Sequence, residues 1–337
     1  MPRIKSNKTL ESYIHDFIDY CNLKDLAVKT KKSYYQSLML FSRYLQEEKR
    51  IIYIKDINKK VVEEYLEFTK ERGKYSYVKD SNSLKLNHQG NRKDFGKEIS
   101  AATLNNYLRN IKVFFNWCEE NNVIKNNTIS KVKFIKNKRK AKEQLDDVEI
   151  MRLLKSFDLT KFHEYRDYTI VNLILDTGMR ITECLNLTIN DIDLQRRTIL
   201  IPAEINKGKK DRVVFYSQSV SRIFQSWLRF KDSFQETELL FPTQRTNSTL
   251  TAPNFERNFR LYKKRANIKK NITPHGLRNN FARRFLLSGG DIYTLSRLLG
   301  HSSVTVTEAA YLDLLDNDLR KRYSRFSPIE NLKGGNK

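Results

Sequence analysis

Between residues 131 and 142 this chain resists packing on itself. Lys131, Lys133, Lys136, Lys138, Arg139, Lys140 and Lys142 put seven cations into twelve residues, and like charges at that density repel one another. Cores must therefore form on either side of the run. Length points the same way, because the 337 residues exceed the ~250 at which single cores usually stop growing. The expected organisation is an N-terminal tail over residues 1–8, a first domain over 9–130, a basic linker over 131–143, a second domain over 144–325 and a C-terminal tail over 326–337.

The first domain is helical by pattern. Leu10, Ile14, Phe17 and Cys21 recur at helical spacing, with Tyr13 and Ile18 widening the stripe. Tyr34, Leu38, Phe41 and Leu45 form a second face, Val61, Val62, Tyr65, Leu66 and Thr69 a third, and Leu104, Leu108, Ile111, Phe115 and Cys118 a fourth. Their aromatics are read as core rather than as platforms for stacking bases. From Gly73 to Ser100 the chain is polar, with Gly90 and Gly96 and little apolar periodicity, and reads as a long loop or insertion.

The second domain opens with a helix over Asp146–Ser156, followed by an apolar helix over Tyr165–Asp176 and another over Ile181–Leu187. Thr198–Pro202 and Val213–Tyr216 read as short strands around a turn, Asn206-Lys207-Gly208-Lys209-Lys210. Helices follow at Val220–Phe230, Asn254–Ala266, Pro274–Leu287 and Ile292–Leu299. The fold class is mainly α with a small antiparallel β-sheet.

The charge balance selects a partner. Lysine and arginine number 63 against 39 acids, giving a formal charge of +24 and a pI of about 9.8. Such an excess opposes compaction unless a polyanion relieves it. DNA or RNA fits, since neutralising phosphates releases counterions, and a strand passing along residues 131–142 would relieve the repulsion there. The plain alternative is a basic protein whose lysines are merely solvated. Cys21, Cys118 and Cys184 lie far apart in apolar patterns, with no metal-ligand spacing and no disulfide framework. No signal peptide is recognisable, and no apolar run reaches the ~18 residues of a membrane span. A reducing cytoplasm, no membrane, no metal and no cofactor are expected.

Three segments carry the chemistry. Thr273-Pro274-His275-Gly276-Leu277-Arg278 reads as a helix start, with Thr273 as cap and Pro274 at the first position. His275 and Arg278 then share a face near free amide donors, which suit a phosphate. In Thr177-Gly178-Met179-Arg180 the glycine ends a helix, and the turn aims Arg180 into a cleft, with Glu183 placed to brace it or a neighbouring helix. Gly300 caps the helix ending at Leu299 and leaves His301 at the break, with Tyr311 on a following helix. Taken singly, each segment also reads as an ordinary capped helix or a structural histidine. Together, guanidinium, imidazole, ammonium and phenol are what metal-free attack on a phosphodiester requires. The phenol, of ordinary pKa near ~10, is activated where cations favour its anion.

These segments, in this order, resemble the tyrosine recombinase (phage integrase) family. The likeness is close from about Asp146 to Tyr311. Residues 9–130 are more loosely similar to the family's helical core-binding (SAM-like) domain. The resemblance implies a two-domain recombinase: the core-binding domain followed by an α+β catalytic domain. It implies that Arg180 and Arg278 clamp the phosphate, that Lys207 protonates the leaving 5′ oxygen, and that His275 is the base for the tyrosine proton. It further implies that His301 hydrogen-bonds the scissile phosphate and that Tyr311 is the nucleophile. Lys209 and Lys210 compete with Lys207. The family tyrosine usually falls nine residues after the second histidine, where this chain has Ala310, so Tyr311 stands tenth, with Tyr323 as the alternative. The implied activity is site-specific recombination of double-stranded DNA through a 3′-phosphotyrosine link. It would need neither metal nor ATP, and would be carried out by four protomers on DNA in a bacterial cytoplasm, at the nucleoid. Integration or excision of a mobile element is the expected role, with accessory DNA-bending or directionality proteins as possible partners. The alternatives are resolution of chromosome or plasmid dimers, a type IB topoisomerase, and a non-catalytic DNA-binding protein. Ile329 and Leu332 in the tail could dock on a neighbouring protomer or belong to a frayed end.

Overall fold

The chain divides into two units, Met1–Arg139 and Lys140–Lys337. The structure, a computed structural model, describes residues 8–78, 81–136, 143–206, 208, 210–301, 303–311, 323 and 327–333.

In the first unit, side-chain caps set the helix starts. Thr9 accepts from the Ser12 N–H (3.3 Å) at the head of α1 (Leu10–Leu23). Asn58 accepts from Val61 (3.2 Å) at α3 (Lys59–Arg72). Ser100 accepts from Thr103 (3.3 Å) at α5 (Ala101–Glu120). Each such cap contributes about 1 kcal/mol. Between them, α2 (Val28–Lys49) stops at Arg50, which takes a left-handed φ of 53°. The four expected stripes face one core: Phe17, Phe41, Tyr65, Phe114 and Phe115 are buried in it, and Phe17 meets Phe114 at 5.6 Å and Trp117 at 5.5 Å. Burying each such ring is worth about 1.5–3 kcal/mol. Buried Asn110 ties α5 to α2 by donating to the Ser37 hydroxyl (2.8 Å) and the Ser33 carbonyl (3.2 Å).

Residues 73–100 are more organised than a plain loop. They contain a short helix, α4 (Ser81–Leu86), and are closed by a neck. The Lys74 N–H donates to Lys97 O (2.9 Å) and the Gly96 N–H to Lys74 O (2.8 Å). Gly73 has φ 76°, and a Cβ there would run into the Gly96 backbone. Six residues of helix are too few to leave a periodic signal.

The second unit is built around α7 (Phe162–Thr177), buried on nearly every face and packed against α9 (Gln218–Asp232) and α11 (Pro274–Leu287). Before it lies α6 (Asp147–Lys155), held by reciprocal bonds between Asp146 and Glu149. After it come α8 (Ile181–Leu185) and an antiparallel sheet of β1 (Ile192–Asp193), β2 (Thr198–Ile201) and β3 (Arg212–Phe215), in that order. Ile199 faces Val214 and Leu200 faces Val213 across β2 and β3. The expected pair of strands thus has a third, β1, whose two residues carry no alternation to read. The remaining elements are α10 (Ala252–Arg265), α12 (Ile292–Leu299), α13 (Val304–Tyr311) and a last short helix, Pro328–Lys333. The expected linker begins later than the charge run suggests, because Val132 is buried in the first unit's core between the exposed Lys131 and Lys133, and residues 137–142 lie outside the described residues.

Candidate active site

Two left-handed glycines bring the site together. Helix α7 ends at Gly178 (φ 66°) and α12 ends at Gly300 (φ 63°). That conformation costs glycine nothing and strains any other residue. Space also demands glycine: a Cβ on Gly178 would enter the Phe281 ring, and one on Gly300 would lie 2.8 Å from the Arg212 Cδ. At each break, carbonyls lack helical partners and mark the negative end of a helix dipole.

Three guanidinium groups collect there. Buried Arg278, from the second turn of α11, donates to Gly178 O (2.8 Å), Leu299 O (2.7 Å) and the His301 Nε2 (3.0 Å). Arg180 caps α8 and reaches Gly300 O at 3.3 Å. Arg212, from β3, reaches Leu298 O at 3.3 Å. Among the described residues one carboxylate serves the group. Glu183, fully buried, accepts from the Arg180 N–H (2.8 Å) and guanidinium (2.7 Å), and from two nitrogens of Arg212 (3.0 and 2.6 Å). Burial alone would push its carboxyl up, but the Arg212 guanidinium, then Arg180, outweighs this and holds it below the ordinary carboxylate range. Positive charge stays in surplus, and the Arg180 side chain remains about a quarter exposed (24%).

His301 is held neutral. Burial, then Arg278, Arg180, Arg212 and His275, bring its pKa down to about 4. Guanidinium only donates, so Nε2 accepts from Arg278. The proton therefore sits on Nδ1, which donates to the buried Thr307 Oγ1 at 2.7 Å.

Of the six residues singled out in the sequence, the structure brings Arg180, Arg278 and His301 into one cluster. His275 stands exposed in the first turn of α11, near enough to His301 to lower its pKa. Tyr311 closes α13, and its side chain lies outside what is described. Lys207 and its competitor Lys209 lie outside the described residues. Their turn is anchored on either side, by the Ala203 N–H on Asp211 Oδ1 (2.7 Å) and Asn206 Nδ2 on Lys210 O (2.8 Å). Sequence reasoning missed Arg212 and Thr307. Strand alternation carried a signal for the first: Val214 points to the core, and Arg212, two residues before it, shares that face. Nothing in the sequence marks Thr307.

Among the described residues no group of three or more His, Cys, Asp or Glu side chains is placed to hold a metal ion, and no helix is long and apolar enough to cross a membrane.

The chain is similar to known proteins over most of its length. The profile of the phage integrase family matches residues 143–318. A tyrosine recombinase XerD of Staphylococcus haemolyticus is 27% identical over 325 residues, covering 95% of this chain and 99% of that protein. A tyrosine recombinase XerC of Oceanobacillus iheyensis is 25% identical over 335 residues, covering 97% and 99%. Among solved structures, the Tn1549 transposon integrase in complex with transposon right end DNA superposes with a TM-score of 0.69 at 19% identity, over 95% of this chain and 99% of that one. A lambda integrase dimer bound to a core site gives 0.66 at 16% identity, over 90% and 95%.

Proposed function

The chain belongs to the phage integrase family as a tyrosine recombinase, an enzyme that cleaves and rejoins DNA, and from that premise we propose that it recombines specific DNA sites through a 3′-phosphotyrosine link formed by Tyr311. The observation that carries this reading is the excess of guanidinium over carboxylate beside a neutral histidine. Three guanidiniums against one carboxylate leave two positive charges among the described residues, which suit the single charge of a scissile phosphate and the further charge that builds on it during attack.

In this reading Arg180 and Arg278 take the non-bridging oxygens, arginine being able to grip two at once. The Tyr311 oxygen attacks phosphorus, His275 receives its proton, and the 5′ oxygen departs with a proton from Lys207. The bond energy stays in the phosphotyrosine, and the 5′ hydroxyl of a partner strand reverses the step. His301 has a further part. A phosphate that takes the Arg278 N–H leaves the Nε2 lone pair facing an anion, which favours protonation, so His301 becomes a donor to the phosphate as the charge on it grows. Four protomers are needed, since exchange between two sites requires two cleavages at each.

The target sequence need not be known for the test. Full-length protein is incubated with a duplex library nicked at varied positions, and covalent complexes are recovered in detergent and sequenced. An adduct mapped to Tyr311 and absent from Tyr311→Phe is expected. An adduct at Tyr323, or none, refutes the assignment. Relaxation of plasmids lacking any recovered site would instead indicate a topoisomerase. We assign the activity to a mobile element on two departures, the organised segment 73–100 and the tyrosine at the tenth position. Recovered sites at the ends of such an element support this, and a site in the chromosome or plasmid backbone replaces it with dimer resolution.

A further inference from the structure

A cavity of about 460 Å³ in the first unit has no part in this chemistry. It lies between α2, the first turns of α5 and the segment closed by the Lys74–Lys97 neck. Its size falls within the usual ~300–1,000 Å³ of small-molecule sites. Arg72, Lys74 and Arg92 line it, and none of the described residues lining it is a carboxylate.

The cations are poised rather than neutralised. Arg72 gives one nitrogen to Tyr77 O (2.6 Å), while its Nε–H is buried with no partner. Arg92 sits over the Tyr75 ring (4.6 Å) and spends two nitrogens on the neutral Asn87 Oδ1 (3.1 and 2.9 Å). Among the described residues only Lys74 has an acid within ion-pair distance, Asp94 at 3.5 Å, and that pair is half-exposed and weak. Tyr75 is held at φ 62°, a strained conformation for a residue with a side chain. Such strain persists where surroundings over-determine it, often at ligand clamps.

We propose that this cavity binds a nucleotide, its phosphate held by Arg72, Lys74 and Arg92 and its base against Tyr75 or Tyr107. An orphaned guanidinium N–H and two further cations call for an anion with several acceptor oxygens. The two phenol rings, and a volume well beyond that of phosphate alone, call for a planar ring attached to it. The nucleotide comes either from DNA held by this unit or from free solution. The DNA source rests on the function proposed above, whereas binding itself does not. Loss of the Tyr311 adduct would sink that function and leave the cavity's test untouched.

Full-length protein is used for both arms. In the first, duplex binding is followed by fluorescence anisotropy as salt is varied, for the wild type and for Lys74→Gln/Arg92→Gln. Each lost phosphate contact lowers the slope of log affinity against log salt by about 0.9, so a fall of about 1–2 is expected. Asn106→Trp fills the cavity at constant charge and should weaken duplex binding by about fivefold with the thermal midpoint unchanged. In the second, deoxynucleoside monophosphates and inorganic phosphate are titrated by calorimetry. Loss in the first arm alone identifies DNA as the source. Monophosphate binding that the double substitution abolishes identifies the free nucleotide. An unchanged salt slope, full affinity in Asn106→Trp and no monophosphate binding would overturn the proposal.

Discussion

Two fully buried carboxylates in the second unit meet arginine in opposite ways. Asp167 on α7 accepts from two nitrogens of Arg166 (3.0 and 2.9 Å), from Asn258 (3.0 Å) and from the Tyr262 hydroxyl (2.8 Å), while Arg166 spends its remaining reach on Pro242 O (2.9 Å). Charge there is balanced one to one, and the group is closed. Glu183 instead faces Arg180 and Arg212, with Arg278 beyond them, and the cluster is left positive at its exposed edge. The same chemical parts make a fastener in one place and a receptor in the other. What separates them is the count of cations per carboxylate and the path to solvent.

The largest effect expected from this contrast is in the closed group. Asp167→Ala leaves Arg166 buried without its counter-charge, and removing one partner of such a pair costs about 3–5 kcal/mol. Urea denaturation should show that loss, with adduct formation per folded molecule unchanged. Arg180→Ala should do the reverse. Loss of one preorganised charge partner typically lowers the rate by about 10²–10³-fold, about 3 kcal/mol in the barrier, while stability stays level or rises because like charges are relieved. If Arg180→Ala destabilised as much as Asp167→Ala, the distinction between fastener and receptor would collapse.

Next in size is the backbone that aims the receptor. Gly178→Ala combines a left-handed φ of 66° with collision into the Phe281 ring, so a loss of about 1–3 kcal/mol is expected. The Gly178 carbonyl also orients Arg278, so adduct formation should fall beyond what stability explains. An equal substitution at exposed Gly90, where the nearest atom is 3.6 Å away, should change neither.

These features differ in how far the sequence displayed them. The helices and both breaks were legible because apolar side chains recur at 3.6 residues and because glycine past a helix end has a conformational meaning that survives without coordinates. Pro274 and Thr273 marked the start of α11 to the residue. The receptor was half legible. Arg180, Arg278 and His301 stand beside punctuation marks, whereas Arg212 sits in a run of cations that look alike until a strand's pleat sorts them. Whether a buried acid is balanced or outnumbered depends on contacts made across long separations, such as Arg212 to Glu183 and Arg180 to Gly300. No local pattern encodes those. Residues 73–100 hid for another reason: a neck of two hydrogen bonds and a six-residue helix leave almost no periodic trace.

The electrostatics of the open cluster yield a pH signature. His301 has its pKa lowered from the ordinary 6.5 to about 4, so the unfolded chain binds more protons between those values. Stability is then full above about 6.5 and is lost as pH falls toward 4. Because the ring is half-buried, screening reduces the effect to about 1 kcal/mol. His301→Asn should flatten this part of the denaturation profile. DNA binding should take up a proton at the same residue, read as a pH-dependent affinity that His301→Asn loses.

The smallest effect tests the tautomer. Thr307 accepts the Nδ1 proton (2.7 Å) and so fixes which His301 nitrogen faces the arginines. Thr307→Val keeps the shape and removes the acceptor. One hydrogen bond is worth about 1 kcal/mol, so adduct formation should slow by about three- to fivefold with little change in the thermal midpoint. Thr307→Ser should restore the rate, since it returns a hydroxyl to the same place. A structural role alone would move the midpoint and ignore the rescue. If valine and serine behaved alike, the proton would not be held by position 307, and the tautomer of His301 would rest on the Arg278 guanidinium facing Nε2.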